Sequence, residues 1–111
     1  SYMTETGAGA LENPILRVKG EGTVVKISKQ DNALIKKVEM TFRQSKGTNG
    51  GPDNLGLGDA SDATYTSNEN TGVWESAAGQ ETVNLKVEAN TSDSGSSSCM
   101  VDIISFKIFC A

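Results

Sequence analysis

The chain contains no histidine. That removes Ser-His and Cys-His nucleophile pairs and the usual histidine-containing zinc sites. Its two cysteines, Cys99 and Cys110, cannot build a four-thiolate centre. Lysine and arginine number ten against fourteen acidic residues, giving a net charge of −4 with no basic cluster, so the stripe that neutralises nucleic-acid phosphates is missing. No apolar run approaches the roughly twenty residues of a membrane span. No signal peptide opens the chain, which does not exclude secretion. The glycine-rich stretch from Gly47 to Gly58 lacks the G-K-[ST] ending of a phosphate-binding loop. Carboxylates are plentiful, but a glycosidase needs a cleft that holds two of them on opposite sides of a sugar bond, and a domain this small rarely offers one. These absences point to a protein that is not an enzyme.

What is present is alternation. At 111 residues and 36% apolar content, the chain holds one domain with a two-layer core. Residues 1–13 are small and polar and read as a flexible N-terminal arm. Residues 14–111 form the single domain. Ile15, Leu16 and Val18 begin a strand closed by Gly20-Glu21-Gly22, and Thr23 to Ser28 forms a second. Lys29 to Asn32 is a turn. Ala33 to Arg43 alternates cleanly, with Val38, Met40 and Phe42 on one face. From Ser45 to Thr71 the pattern breaks, apart from a short strand at Ala63 to Thr66. Trp74 and its neighbours suggest another edge strand. Val83, Leu85, Val87 and Ala89 restore alternation, Asn90 to Ser98 is a flexible connector, and a last strand runs from about Cys99 to Cys110. With six to eight strands and no significant helix, the fold class is an all-β, antiparallel, jelly-roll-like β-sandwich.

Two segments share one template. Ile35 to Phe42 reads I-K-K-V-E-M-T-F, and Ile103 to Cys110 reads I-I-S-F-K-I-F-C. In each, the first Ile lies three residues before the next apolar position, so a bulge there keeps it facing the core. The two strands are expected to be neighbours in one sheet. The same reading bears on the cysteines. The eleven steps from Cys99 to Cys110 span about 36 Å in a strand at ~3.3 Å per residue. A disulfide needs Cα atoms within about 7 Å. The strand excludes the bridge, and Cys110 is expected on the core face as a small hydrophobe.

In these segments the chain resembles small jelly-roll modules of secreted or surface Bacteroidetes proteins. The pattern is carried by I-K-K-V-E-M-T-F (35–42), a glycine-rich stretch, T-Y-T (64–66), G-V-W (72–74), V-N-L-K-V (83–87) and I-I-S-F-K-I-F-C (103–110). It covers most of the chain from about Ile15 onward. Cys110 replaces the closing aromatic of that pattern. The resemblance implies a non-catalytic, carbohydrate-binding module, secreted or at the cell surface. Its partner would be a polysaccharide or glycoprotein glycan, with neighbouring domains of a larger chain as further contacts.

Candidate ligand residues follow from sugar chemistry. A sugar's C–H face stacks on an aromatic ring, and amides or carboxylates take its hydroxyls. Tyr65, Asn68, Asn70, Trp74 and Glu75 offer that set in one segment. Trp74 has a second role open to it, as a core plug whose N–H reaches a carbonyl. With six aromatic residues in the chain, the core role is the favoured one. Asp53, Asp59 and Asp62 could hold calcium with backbone carbonyls, though the D-x-D-x-D-G spacing is absent and solvated turn carboxylates are the simpler reading. No other cofactor is indicated. The alternative function is a structural or adhesive spacer, or a protein-docking domain, without a sugar ligand. A buried Trp74 would favour that alternative.

Overall fold

A computed structural model of the chain describes residues 16–28, 33–58, 62–90 and 99–110. The predicted arm at 1–13, the turn at 29–32, Asp59 and most of the connector lie outside the described residues. Among the described residues eight strands follow one another: β1 (Leu16–Lys19), β2 (Val24–Ser28), β3 (Ile35–Phe42), β4 (Leu55–Gly56), β5 (Thr64–Asn68), β6 (Thr71–Gln80), β7 (Thr82–Val87) and β8 (Met100–Cys110). A 3-10 turn, Pro52–Asn54, precedes β4.

The strands form two antiparallel sheets, one ordered β1-β8-β3-β6-β5 and the other β2-β7-β4. The chain crosses between sheets at nearly every connection, so β1-β8-β3-β6 faces β2-β7-β4 in a jelly-roll winding. Strand β5 instead folds back on β6 as a hairpin and becomes the outer edge of the larger sheet. Trp74 therefore lies in an interior strand, between β3 and β5, and not in an edge strand as its sequence surroundings suggest.

Alternation fills the space between the sheets. Val18, Ile35, Val38, Met40, Phe42, Trp74, Val101, Ile103 and Phe106 enter the core from the larger sheet. Val25, Ile27, Leu55, Val83, Leu85 and Val87 meet them from the smaller one. Full burial of each such side chain stabilises the fold by about 1.5–3 kcal/mol, against the entropy of ordering the chain.

The two template copies are indeed adjacent, β3 pairing with β8. Each carries its bulge at the predicted place. Ile35 pairs with Cys110 and Lys37 with Phe109, leaving Lys36 as the extra residue of β3. Phe42 pairs with Ile103 and Thr41 with Ser105, leaving Ile104 as the extra residue of β8. Without those extra residues, Ile35 and Ile103 would point to the outer face. Both are buried.

The cysteines are not bridged: Cys99 is buried before β8 and Cys110 closes it. Cys110 is exposed, contrary to its expected core role. It shares the face of Ile35, but as the last residue of β8 it lies at the rim of the sandwich, where its thiol meets solvent. On the opposite side of β8, the buried carboxylate of Asp102 accepts two bonds from the Arg17 guanidinium, at 2.7 and 2.9 Å. This fork clamps the short edge strand β1 to its neighbour.

The glycine-rich segment is folded. Gly50 forms a parallel bridge to Val101, and Gly51 passes so close to the Ser45 carbonyl oxygen that a Cβ would collide with it. The Asn54 amide oxygen accepts from Gly50 N–H while its Nδ2 donates to the Glu88 carbonyl. Asn90 donates from Nδ2 toward the Thr48 carbonyl, Asp53 and Asn54. Side-chain amides thus replace the strand ladder that this stretch lacks.

Candidate functional site

In a strand, consecutive side chains point to opposite faces, so the residues facing away from the core are set by the same alternation that fills it. On the larger sheet they line up in rows across four strands. One row is Phe109 (β8), Lys37 (β3), Glu75 (β6) and Thr64 (β5). The next is Lys107, Glu39, Val73 and Thr66, and the third is Ser105, Thr41, Thr71 and Asn68.

Beside the first row lies a groove of about 880 Å³, lined by Lys36, Lys37, Asp62, Ala63, Thr64, Glu75, Ser76, Ala77 and Phe109. Its border arises from a register break. Between Ile35↔Gln80 and Lys37↔Glu75, β6 spends four residues, Ser76 to Gly79, where β3 spends only Lys36. Gly79 turns this excursion with a φ of +83°, donating its N–H to the Ser76 hydroxyl at 3.2 Å. The Lys36 ammonium then donates to the Ala77 carbonyl at 2.7 Å, tying the excursion to β3.

Phe109 is 39% exposed and is the one aromatic ring among the residues of these three rows. The Lys37 and Lys107 ammoniums lie 5.5 and 5.7 Å from its centroid. Lys37 also reaches Glu39 at 3.2 Å. Lys36, Lys37 and Lys107 are balanced by Glu39, Asp62 and Glu75, so the site carries both signs without a net field. It offers a stacking surface, hydrogen-bond donors and acceptors, and threonine hydroxyls that do both.

The predicted ligand set is divided between the two faces. Trp74 is 1% exposed and cannot serve as a stacking platform; it sits between Val38 and Tyr65 across the inner face. Tyr65 faces inward beside it and donates its hydroxyl to the Pro52 carbonyl at 2.7 Å. Burial, followed by the charges of Asp53 and Glu88, pushes the Tyr65 phenol well above its usual range. This packing requires Gly72, because a Cβ there would run into the Tyr65 hydroxyl. Asn70 donates from Nδ2 to the Phe42 carbonyl at 3.3 Å, a structural tie across the end of β3. Glu75 lines the groove, and Asn68 is exposed on the same face, four residues along β5 from Thr64.

The calcium set is not assembled among the described residues, where no group of three metal-ligating side chains gathers. Asp53 accepts from the Gly47 N–H with both oxygens at 3.1 Å, capping the glycine-rich loop. Asp62 lines the groove instead, and Asp59 lies outside the described residues.

Sequence reasoning passed over Phe109, Lys37, Lys107 and Thr64. The signal for Phe109 is in the template itself. Phe106, Ile108 and Cys110 hold one phase, and Phe109 is an aromatic residue in the other, solvent-facing phase. Compared with known proteins, the chain matches no family model, no curated protein and no solved structure.

Proposed function

We propose that this chain is a non-catalytic glycan-binding module of a secreted or cell-surface protein, and that it binds on the outer face of the five-stranded sheet. The observation that carries the reading is Phe109, an exposed ring beside a groove of about 880 Å³ whose neighbours are lysines, carboxylates and a threonine. A sugar ring lays its C–H face on Phe109. Lys37, on the strand between Phe109 and Glu75, donates to hydroxyls beside the ring, and Glu75, Asp62 and Thr64 take hydroxyls of sugar units further along the row. The balance of charges favours a neutral glycan over a polyanion. The resemblance to Bacteroidetes modules supports the same class, but fold likeness by itself is a weak warrant, and the groove supplies the chemistry.

The test is a glycan array followed by calorimetry on any hit. Binding by the parent chain that falls at least tenfold in Phe109→Ala is the expected result. An array without hits sinks the reading. The burial of Trp74 favours the second reading, a structural or adhesive spacer. That reading expects Phe109→Ala to leave every ligand assay unchanged.

A further inference from the structure

We propose that β5 is a pairing edge through which two copies of this chain join, antiparallel, about a twofold axis at Thr66. The proposal does not rest on the glycan reading.

The β5–β6 hairpin sets which backbone groups of β5 face outward. Asn68 pairs with Thr71 across only two residues, Glu69 and Asn70. A turn that short closes on a pair that exchanges both of its backbone bonds. Alternation then fixes the rest: Thr64, Thr66 and Asn68 bond to β6, while the N–H and C=O groups of Tyr65 and Ser67 point away from the sheet. Strand β5 is the last in its sheet, and among the described residues no partner takes those groups.

Exposed edges are normally guarded by charge, proline, a bulge or brevity. The other edges conform. Strand β1 carries Arg17 and Lys19, β2 carries Lys26, and β4 is two residues long. Strand β5 reads T-Y-T-S-N, with neither charge nor proline, and it pairs with β6 without a bulge. Nothing in it repels a second copy.

Its own sequence fits that second copy. Outward groups must meet outward groups, and the register that pairs all five residues sets Tyr65 against the partner's Ser67 and Thr66 against the partner's Thr66. Tyr65 and Ser67 then each donate and accept one bond across the axis. The Thr66 side chains form a cross-strand threonine pair on the outer face, a favoured combination. The joined sheet has ten strands, and the outer rows of one copy run on into those of the other. A five-residue edge falls short of the ~800 Å² per partner of a standard interface, so pairing is concentration-dependent and strengthens when many copies share a surface.

Sedimentation velocity from micromolar to millimolar chain tests this, with circular dichroism to confirm that each variant is folded. The parent chain is expected to pass from monomer to dimer. Thr66→Lys, which sets two ammoniums face to face at the axis, should weaken pairing at least tenfold. Ser67→Pro should do the same by removing an outward N–H that the hairpin does not use. In a Cys110→Ser background, Thr66→Cys should cross-link to itself on mild oxidation, because a non-bonded antiparallel pair brings Cα atoms to about 4.5 Å. Asn84→Cys, on the outer face of the smaller sheet, should not. A chain that stays monomeric throughout overturns the proposal. So does pairing that Thr66→Lys leaves intact, or Thr66→Cys cross-linking no faster than Asn84→Cys.

Discussion

Phe109 stands directly opposite Lys37 on the neighbouring strand, with the ammonium 5.5 Å from the ring centroid. The pair holds a hydrophobic ring at the surface without burying it. Phe109→Ala should therefore separate binding from stability. Glycan affinity is expected to fall at least tenfold, about 1.4 kcal/mol, while stability falls only by the ~1–2 kcal/mol of two exposed cation–π contacts, leaving the variant folded during the titration. Calorimetric titration alongside thermal melts checks both halves.

Trp74 is expected to behave in the opposite way. Trp74→Ala opens a large cavity between the sheets and should cost about 3–5 kcal/mol, read from urea denaturation. In the native chain the single indole should emit at short wavelength and resist iodide quenching. Emission typical of a solvated indole would contradict its burial.

Tyr65 predicts an alkaline limit to stability. Its phenol is held above its ordinary value in the folded chain, so the folded state keeps a proton that the unfolded state releases. The stabilisation is complete below the ordinary phenol range near pH 10 and is lost as pH rises from there toward the folded value. Tyr65→Phe should flatten that alkaline decline. Absorbance at the tyrosinate band should show a late phase that coincides with unfolding and is missing from the variant.

The Lys36 bulge can be tested by deleting the residue. Without it, Ile35 and the set Val38, Met40 and Phe42 cannot all face the core. The loss should equal or exceed the ~2–5 kcal/mol of truncating a buried isoleucine to alanine. Chemical denaturation measures it, with Lys36→Ala, which keeps the bulge, as the mild control.

The thiols give a quick check on the last strand. Cys110 should react with a thiol reagent in the native protein, and Cys99 only after unfolding. A rapid second equivalent under native conditions would contradict the burial of Cys99.

Most strand positions and faces were legible in the residues because alternation is a local rule, obeyed by each strand without reference to its partners. The two-residue β4 was not legible, and Ala89, in phase with Val87, lies exposed past the end of β7. The same rule located both bulges, since an Ile three residues from the next apolar position has one economical way back to the core. It also contained the division of the predicted ligand set: Trp74 and Glu75 are consecutive, so only one of them can face solvent. What local pattern could not supply was the covering of each face. Glycine-rich residues 45–54 carry no period, because their bonds go to amide side chains and to strands far along the chain.

By itself, then, the sequence determined an all-β sandwich, its alternating strands, and the adjacency of two look-alike strands with matched bulges. Tertiary structure alone decided that β5 joins the larger sheet and that Phe109 meets solvent; for Trp74 it bore out the core role that the sequence favoured. The physical reason is that a side chain's direction follows from its own backbone, whereas its burial depends on what the rest of the chain brings against it.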